Sequence, residues 1–176
     1  MNHVRRRAAW SLLALSGLFG LASCGSDSAV ADGTDGAVVE TVTVLHLAPP
    51  APTLIDAAPA GPSVGDVRIF HFPARTESGE EVGTDWVMTT TATDSPAPGV
   101  ETRVATAVFH FGGSTDDELL LEGVALYPGA SATLKEATTI HRALIGGAGK
   151  YAGATGDVIS THLPDGSWKH VFQIQR

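Results

Sequence analysis

Leu144-Ile145-Gly146-Gly147-Ala148-Gly149-Lys150-Tyr151-Ala152-Gly153-Ala154-Thr155-Gly156-Asp157-Val158 sets five glycines between an apolar run and a β-branched one. Glycine reaches φ > 0 and lets backbone approach backbone where a Cβ would collide. The residues that follow, Asp157-Val158-Ile159-Ser160-Thr161-His162-Leu163, have the composition of a strand. The glycines therefore read as a compact connection between two strands. Glycine-rich turns also cradle phosphates at helix N-termini, but the spacing here argues against that use. Gly147-x-Gly149 is followed by Gly153 rather than by a glycine three residues on, no helical pattern comes next, and Tyr151 occupies the hydroxyl position after Gly149-Lys150.

Outward from this stretch the chain reads as strands joined by turns. Val39 to Leu47 alternates with a period of two and has no helical stripe. Ala48 to Val64 carries Pro49, Pro50, Pro52, Pro59 and Pro62, which exclude a central ladder and predict an irregular loop over one end of the domain. Further strands are expected at Val67 to Phe72, Gly83 to Thr91, Thr102 to Phe111, Glu118 to Tyr127 and Thr138 to Ile145. Asp157 to Leu163 and Trp168 to Gln175 form a last hairpin over Pro164-Asp165-Gly166-Ser167. About eight strands without an amphipathic helix predict an all-β fold, a single antiparallel closed β-barrel, because closure removes exposed edges.

The glycine stretch, with Arg103 to Gly112 and Leu119-Leu120-Leu121-Glu122-Gly123, resembles the signature of the allene oxide cyclase and dirigent-like barrels, over roughly the last two thirds of the chain. That resemblance implies a ligand cavity inside the barrel. Matching from Gly65-Asp66 puts cavity-lining positions at Arg68, Phe70, Phe72 and Trp86, with Phe72 where the family has an asparagine and Ala107 where it has a tyrosine. The glutamate that assists epoxide opening in the plant cyclases has no counterpart in Ala48-Pro49-Pro50-Ala51-Pro52-Thr53, which argues against cyclisation of an allene oxide. Barrels of this family often trimerise, so a homotrimer is the assembly the resemblance implies.

The first residues read as an address. Arg5-Arg6-Arg7 precedes an apolar run from Ala8 to Ala22, long enough for a signal-peptide core and too short for a membrane span of about 20 residues. The run ends in Leu21-Ala22-Ser23-Cys24, which resembles the bacterial lipobox, and Cys24 is the one cysteine in the chain. The expectation is a signal peptide over 1–23, a flexible tether over 24–38 beginning at lipidated Cys24, and a barrel domain over 39–176, held outside the cytoplasm on a membrane. Cleavage near Ala31, giving a soluble secreted protein, is the alternative. Removing three of the 11 basic residues and none of the 19 acidic ones moves the formal charge from −8 to −11. Such a charge argues against nucleic acid and against electrostatic docking on anionic lipid.

The chemistry-bearing candidates are few. If the hairpin around Ser114-Thr115 has no bulge, partners on the two strands sum to about 229, so that Ala107 faces Glu122 and Phe109 faces Leu120. One face then carries Arg103, Ala105, Ala107, Phe109, Phe111 and Glu122, with Glu122 as an interior acid or base. The other arrangement turns Leu119 and Leu121 inward and Glu122 to solvent. Six histidines follow the leader, at His46, His71, His110, His141, His162 and His170, without the i, i+2 pairing of a strand-borne metal site. No metal or other cofactor is expected. Three functions remain open: an isomerase or cyclase working by conformational control on a small apolar molecule, a lipocalin-like binding protein, and a structural envelope protein with a filled interior.

Overall fold

Along Val100–His110 every second residue, from Glu101 to Phe109, is buried and those between are half-buried, which is the two-residue period of a strand with one face inside. The computed structural model describes residues 39–82, 87–112, 115–129 and 133–176. The expected signal peptide, Cys24 and the tether lie outside them. The strands are β1 (Val39–His46), β2 (Thr53–Ile55), β3 (Val67–His71), β4 (Ala74–Thr76), β5 (Glu81–Val82), β6 (Val87–Ala97), β7 (Val100–His110), β8 (Glu118–Pro128), β9 (Thr139–Ala148), β10 (Thr155–His162) and β11 (Trp168–Gln175).

These form one antiparallel sheet in the order β2-β3-β6-β7-β8-β9-β10-β11-β1-β4-β5. Its eight longer members correspond to the expected strands. The proline-rich segment also contains β2, a short exposed strand paired to β3, which the sequence reading treats as loop. Pro52 immediately precedes it, at a sheet edge where a missing N–H costs nothing. The sheet curls into a half-barrel, and an isolated bridge joins Val82 at its β5 edge to Phe111 just beyond β7.

The β7–β8 register decides which side chains meet. Thr106 faces Glu122 and Ala107 faces Leu121, so the partners sum to 228 rather than 229. A one-residue slip moves a whole strand's side chains to the other face. Arg103, Ala105, Ala107, Phe109 and Phe111 are buried as expected, but on β8 it is Leu119 and Leu121 that turn inward. Glu122 is exposed, and its Oε2 accepts a hydrogen bond from Thr106 Oγ1 at 3.1 Å. Of the two arrangements the sequence allows, the interior placement of Glu122 is thereby corrected and the one with Leu119 and Leu121 inward is found. The cause lies in the connection, where an odd number of residues separates the last pair, His110 and Glu118.

The glycine stretch is the structural turn its composition predicts, with Gly146 and Gly147 still inside β9. A Cβ on Gly147 would sit 2.4 Å from the Tyr151 carbonyl and 2.8 Å from that of Glu118. Gly149 opens a single 3-10 turn at φ +56, where a Cβ would strike Asp116 and Asp117. This close approach folds Tyr151 inward, edge-on against Phe111 at 4.9 Å. Burial and the carboxylates of Glu40, Glu80 and Asp117 push the Tyr151 phenol up to about 12.

Antiparallel pairing sorts the interior into two ends. Toward the glycine turn lie Phe109, Phe111, Leu119, Leu121, Leu144, Val158, Phe172 and Ile174, an unbroken apolar cluster. Each side chain of this size contributes roughly 1.5–3 kcal/mol when fully buried. At the opposite end meet the starts of β3, β7, β9 and β11 and the ends of β1, β8 and β10. There the inward positions are Arg68, Glu101, Arg103, Tyr127, Arg142, Ser160, His162, Trp168, His170 and His46, all buried.

Candidate functional site

The polar end of the interior is the candidate site. Glu101 and Arg103, two apart on β7, point the same way, and Arg103 Nε donates to Glu101 Oε2 at 2.7 Å. Arg68, arriving from β3, places Nη1 3.3 Å from the same oxygen. Arg103 Nη2 also donates to the Gly129 carbonyl at 2.8 Å, and its guanidinium lies 4.5 Å over the Tyr127 ring. One carboxylate thus serves two guanidiniums. Burial lowers Arg103 from its ordinary value, opposed by the hydrogen bond to Glu101. At the rim, the amides of Ser63 and Ala57 donate to Asp66 and hold its carboxyl below the usual range. The adjoining proline-rich loop forms a half-open recess of about 300 Å³ lined by Pro52, Leu54, Asp56, Pro62 and Arg68.

A row of imidazoles crosses β10, β11 and β1. His46 Nδ1 is 2.6 Å from the Leu47 carbonyl, His46 Nε2 is 3.1 Å from His170 Nε2, and His170 Nδ1 is 2.9 Å from Ser160 Oγ. A carbonyl only accepts, so His46 carries its proton on Nδ1 and its Nε2 accepts from His170. His170 Nδ1 then accepts from the Ser160 hydroxyl. Burial, helped by His162, lowers His46 to about 4, and burial with the nearby charges of His46 and Arg142 puts His170 well below 6.5. Both rings are neutral at pH 7, which makes His170 a poor base for activating Ser160 as a nucleophile. Trp168 stacks on His162 at 4.7 Å and 7°, and on His170 at 5.9 Å and 6°, so these rings lie as parallel plates.

Arg142 projects into this end from β9. Its Nη2 donates to the Tyr127 hydroxyl at 3.0 Å, while Nε and Nη1 have no partner among the described residues, and neither does Trp168 Nε1. Burial lowers its guanidinium below the ordinary value, partly offset by Tyr127. Gly123 on β8 makes room for it: a Cβ there would lie 2.7 Å from Arg142 Cγ. Ala105 and Ala107 are the small buried residues of β7, and the space over Gly123 is taken by the Arg142 side chain.

Of the residues singled out in the sequence, Arg68, Phe70, Phe72, Ala107 and Phe109 are buried, and Phe72 packs 4.2 Å from the His46 ring. Glu122 is on the outer face, and Trp86 lies outside the described residues. The sequence reading passes over Arg142, Tyr127, Trp168, His170 and His46 as site residues. A signal was present, since Arg142 stands two residues from both Ile140 and Leu144, in phase with the buried side of β9. Among the described residues no three His, Cys, Asp or Glu side chains gather into a metal-binding group.

No protein-family model matches the chain, and no curated protein does. Among solved structures the chain is similar to a pyocyanin demethylase, with a TM-score of 0.54 and 19% identity, over 78% of this chain and 100% of that one. At that identity the likeness is one of fold.

Proposed function

We propose that the domain is an allene-oxide-cyclase-like barrel, carried as an extracytoplasmic lipoprotein, that receives a small and largely apolar molecule in its interior. The carrying observation is the buried polar end of the interior, where Arg142 and Trp168 hold donors without partners among the described residues. A protein that filled its own interior for strength would place bulky aliphatics there, because interiors pack to the density of organic crystals. The bridge between Val82 and Phe111 supports closure of the curled sheet into a barrel. A similar fold serves the pyocyanin demethylase, a protein whose name gives it a small-molecule substrate.

Binding is favoured over acid–base conversion because Glu122 faces solvent and the interior imidazoles are held neutral. One observation keeps a catalytic version in play. The Ser160 hydroxyl, held by its hydrogen bond to His170, offers a polar group at a fixed position, which suits an isomerisation or ring closure governed by positioning. Native mass spectrometry of the full chain in detergent tests the reading. A small mass carried by the folded protein and released on denaturation is expected. Repeated recovery of the bare chain from several hosts would favour a structural role instead.

A further inference from the structure

Resting on that reading of the interior, we propose that the molecule received is an organic acid, its carboxylate seated on Arg142 and its body directed toward the apolar end.

The argument begins from charge. The chain carries 19 acidic residues, yet no carboxylate among the described residues pairs with Arg142. The other two interior guanidiniums share Glu101, and Asp66 adds its field to Arg68. Arg142 is only 3% exposed, so water does not solvate it freely. A buried cation with unsatisfied donors is costly unless an anion with matching acceptors arrives. Guanidinium donors form a planar fork that suits a carboxylate. The Tyr127 hydroxyl, which accepts from Nη2, keeps its own proton to give to the same oxyanion. Trp168 Nε1 is a further donor without an acceptor.

Trp168 stacks on its histidine neighbours within 7°, so the polar end presents ring edges rather than an open ring face. Below it, Phe109 and Phe172 meet edge to face at 5.0 Å and close the apolar end. The acid group therefore stays at the polar end, under the loops.

Calorimetry on the full chain in detergent, with benzoate and 1-naphthoate each set against its neutral alcohol, tests the proposal. At least one acid is expected to bind about tenfold more tightly than its alcohol, the range of a charge-assisted contact. Arg142→Met should erase that preference while the unliganded protein melts no lower than the wild type, since an unpaired buried charge has been removed. Arg142→Lys, which keeps the charge and loses the fork, should weaken acid binding and leave alcohol binding unchanged. Equal binding of acid and alcohol overturns the anion site and leaves the receiving interior standing. Binding of none of the four compounds counts against both. A lower melting point for Arg142→Met with the acid preference intact assigns Arg142 a structural role and overturns the proposal.

Discussion

His46 and His170 meet through their Nε2 atoms at 3.1 Å, with their outer nitrogens tied to the Leu47 carbonyl and the Ser160 hydroxyl. The arrangement accommodates two neutral imidazoles and one shared proton. A second proton between the two Nε2 atoms would set one N–H against another.

Acid should therefore destabilise the fold in a defined window. Folding lowers both histidines from 6.5, His46 to about 4. The unfolded chain takes up protons below pH 6.5 that the folded chain refuses, so stability is full above 6.5 and falls as the pH drops toward 4. For His46 the shift corresponds to roughly 3 kcal/mol over that window. Thermal melts between pH 7.5 and 4 should show the decline, and His46→Gln should make it shallower. An unaltered slope in the variant would remove His46 as a source.

Glu101→Gln should cost about 3–5 kcal/mol, because it removes the buried carboxylate that Arg68 and Arg103 share. Urea titration of the folded fraction reads the loss directly. A change below about 1 kcal/mol would mean that the two arginines are neutralised by something other than Glu101.

Two adjacent glycines should respond in opposite ways. Gly146→Ala meets nothing within 4 Å of its new methyl and should leave the melting point within a few degrees, whereas Gly147→Ala drives a Cβ into two carbonyls. The second variant should melt far lower or fail to fold. Equal melting of the two would show that the 3-10 turn yields easily, contrary to the tight approach of Tyr151.

Glu122→Gln should be silent in both stability and ligand binding, within about 0.5 kcal/mol, since Glu122 lies on the outer face with Thr106 as its neighbour. A loss of ligand affinity in this variant would place the binding surface on the outer face of the curled sheet.

Glu122, which the sequence leaves open between interior and solvent, marks where sequence reasoning stops. Alternation along Val100–His110 identifies a strand and its buried side from one segment alone, because the period is intrinsic to the backbone. Which β8 residue faces Ala107 depends on the loop between the strands, and one residue more or less inverts the answer. The glycine turn was legible for a related reason: its constraint is local, set by backbone approaching backbone. The polar end was not, since His46, Arg142 and His170 sit on three different strands and become neighbours only through pairing that spans most of the chain. Their individual environments read as ordinary strand positions.

The first strand of the domain is hydrogen-bonded to the last, Val39 opposite Gln175 and His46 opposite Trp168, with more than a hundred residues between them. During synthesis β1 emerges early and waits, the edge opposite β4 unmet, until β11 arrives. A message truncated by a late stop codon would therefore unpair two strands at once, β1 and β10, and leave a long sticky margin on each. The same adjacency sets the two ends of the domain side by side. Joining them by a short linker and cutting at the exposed Ser78-Gly79 turn should give a rewired chain with the same architecture and a different order of assembly.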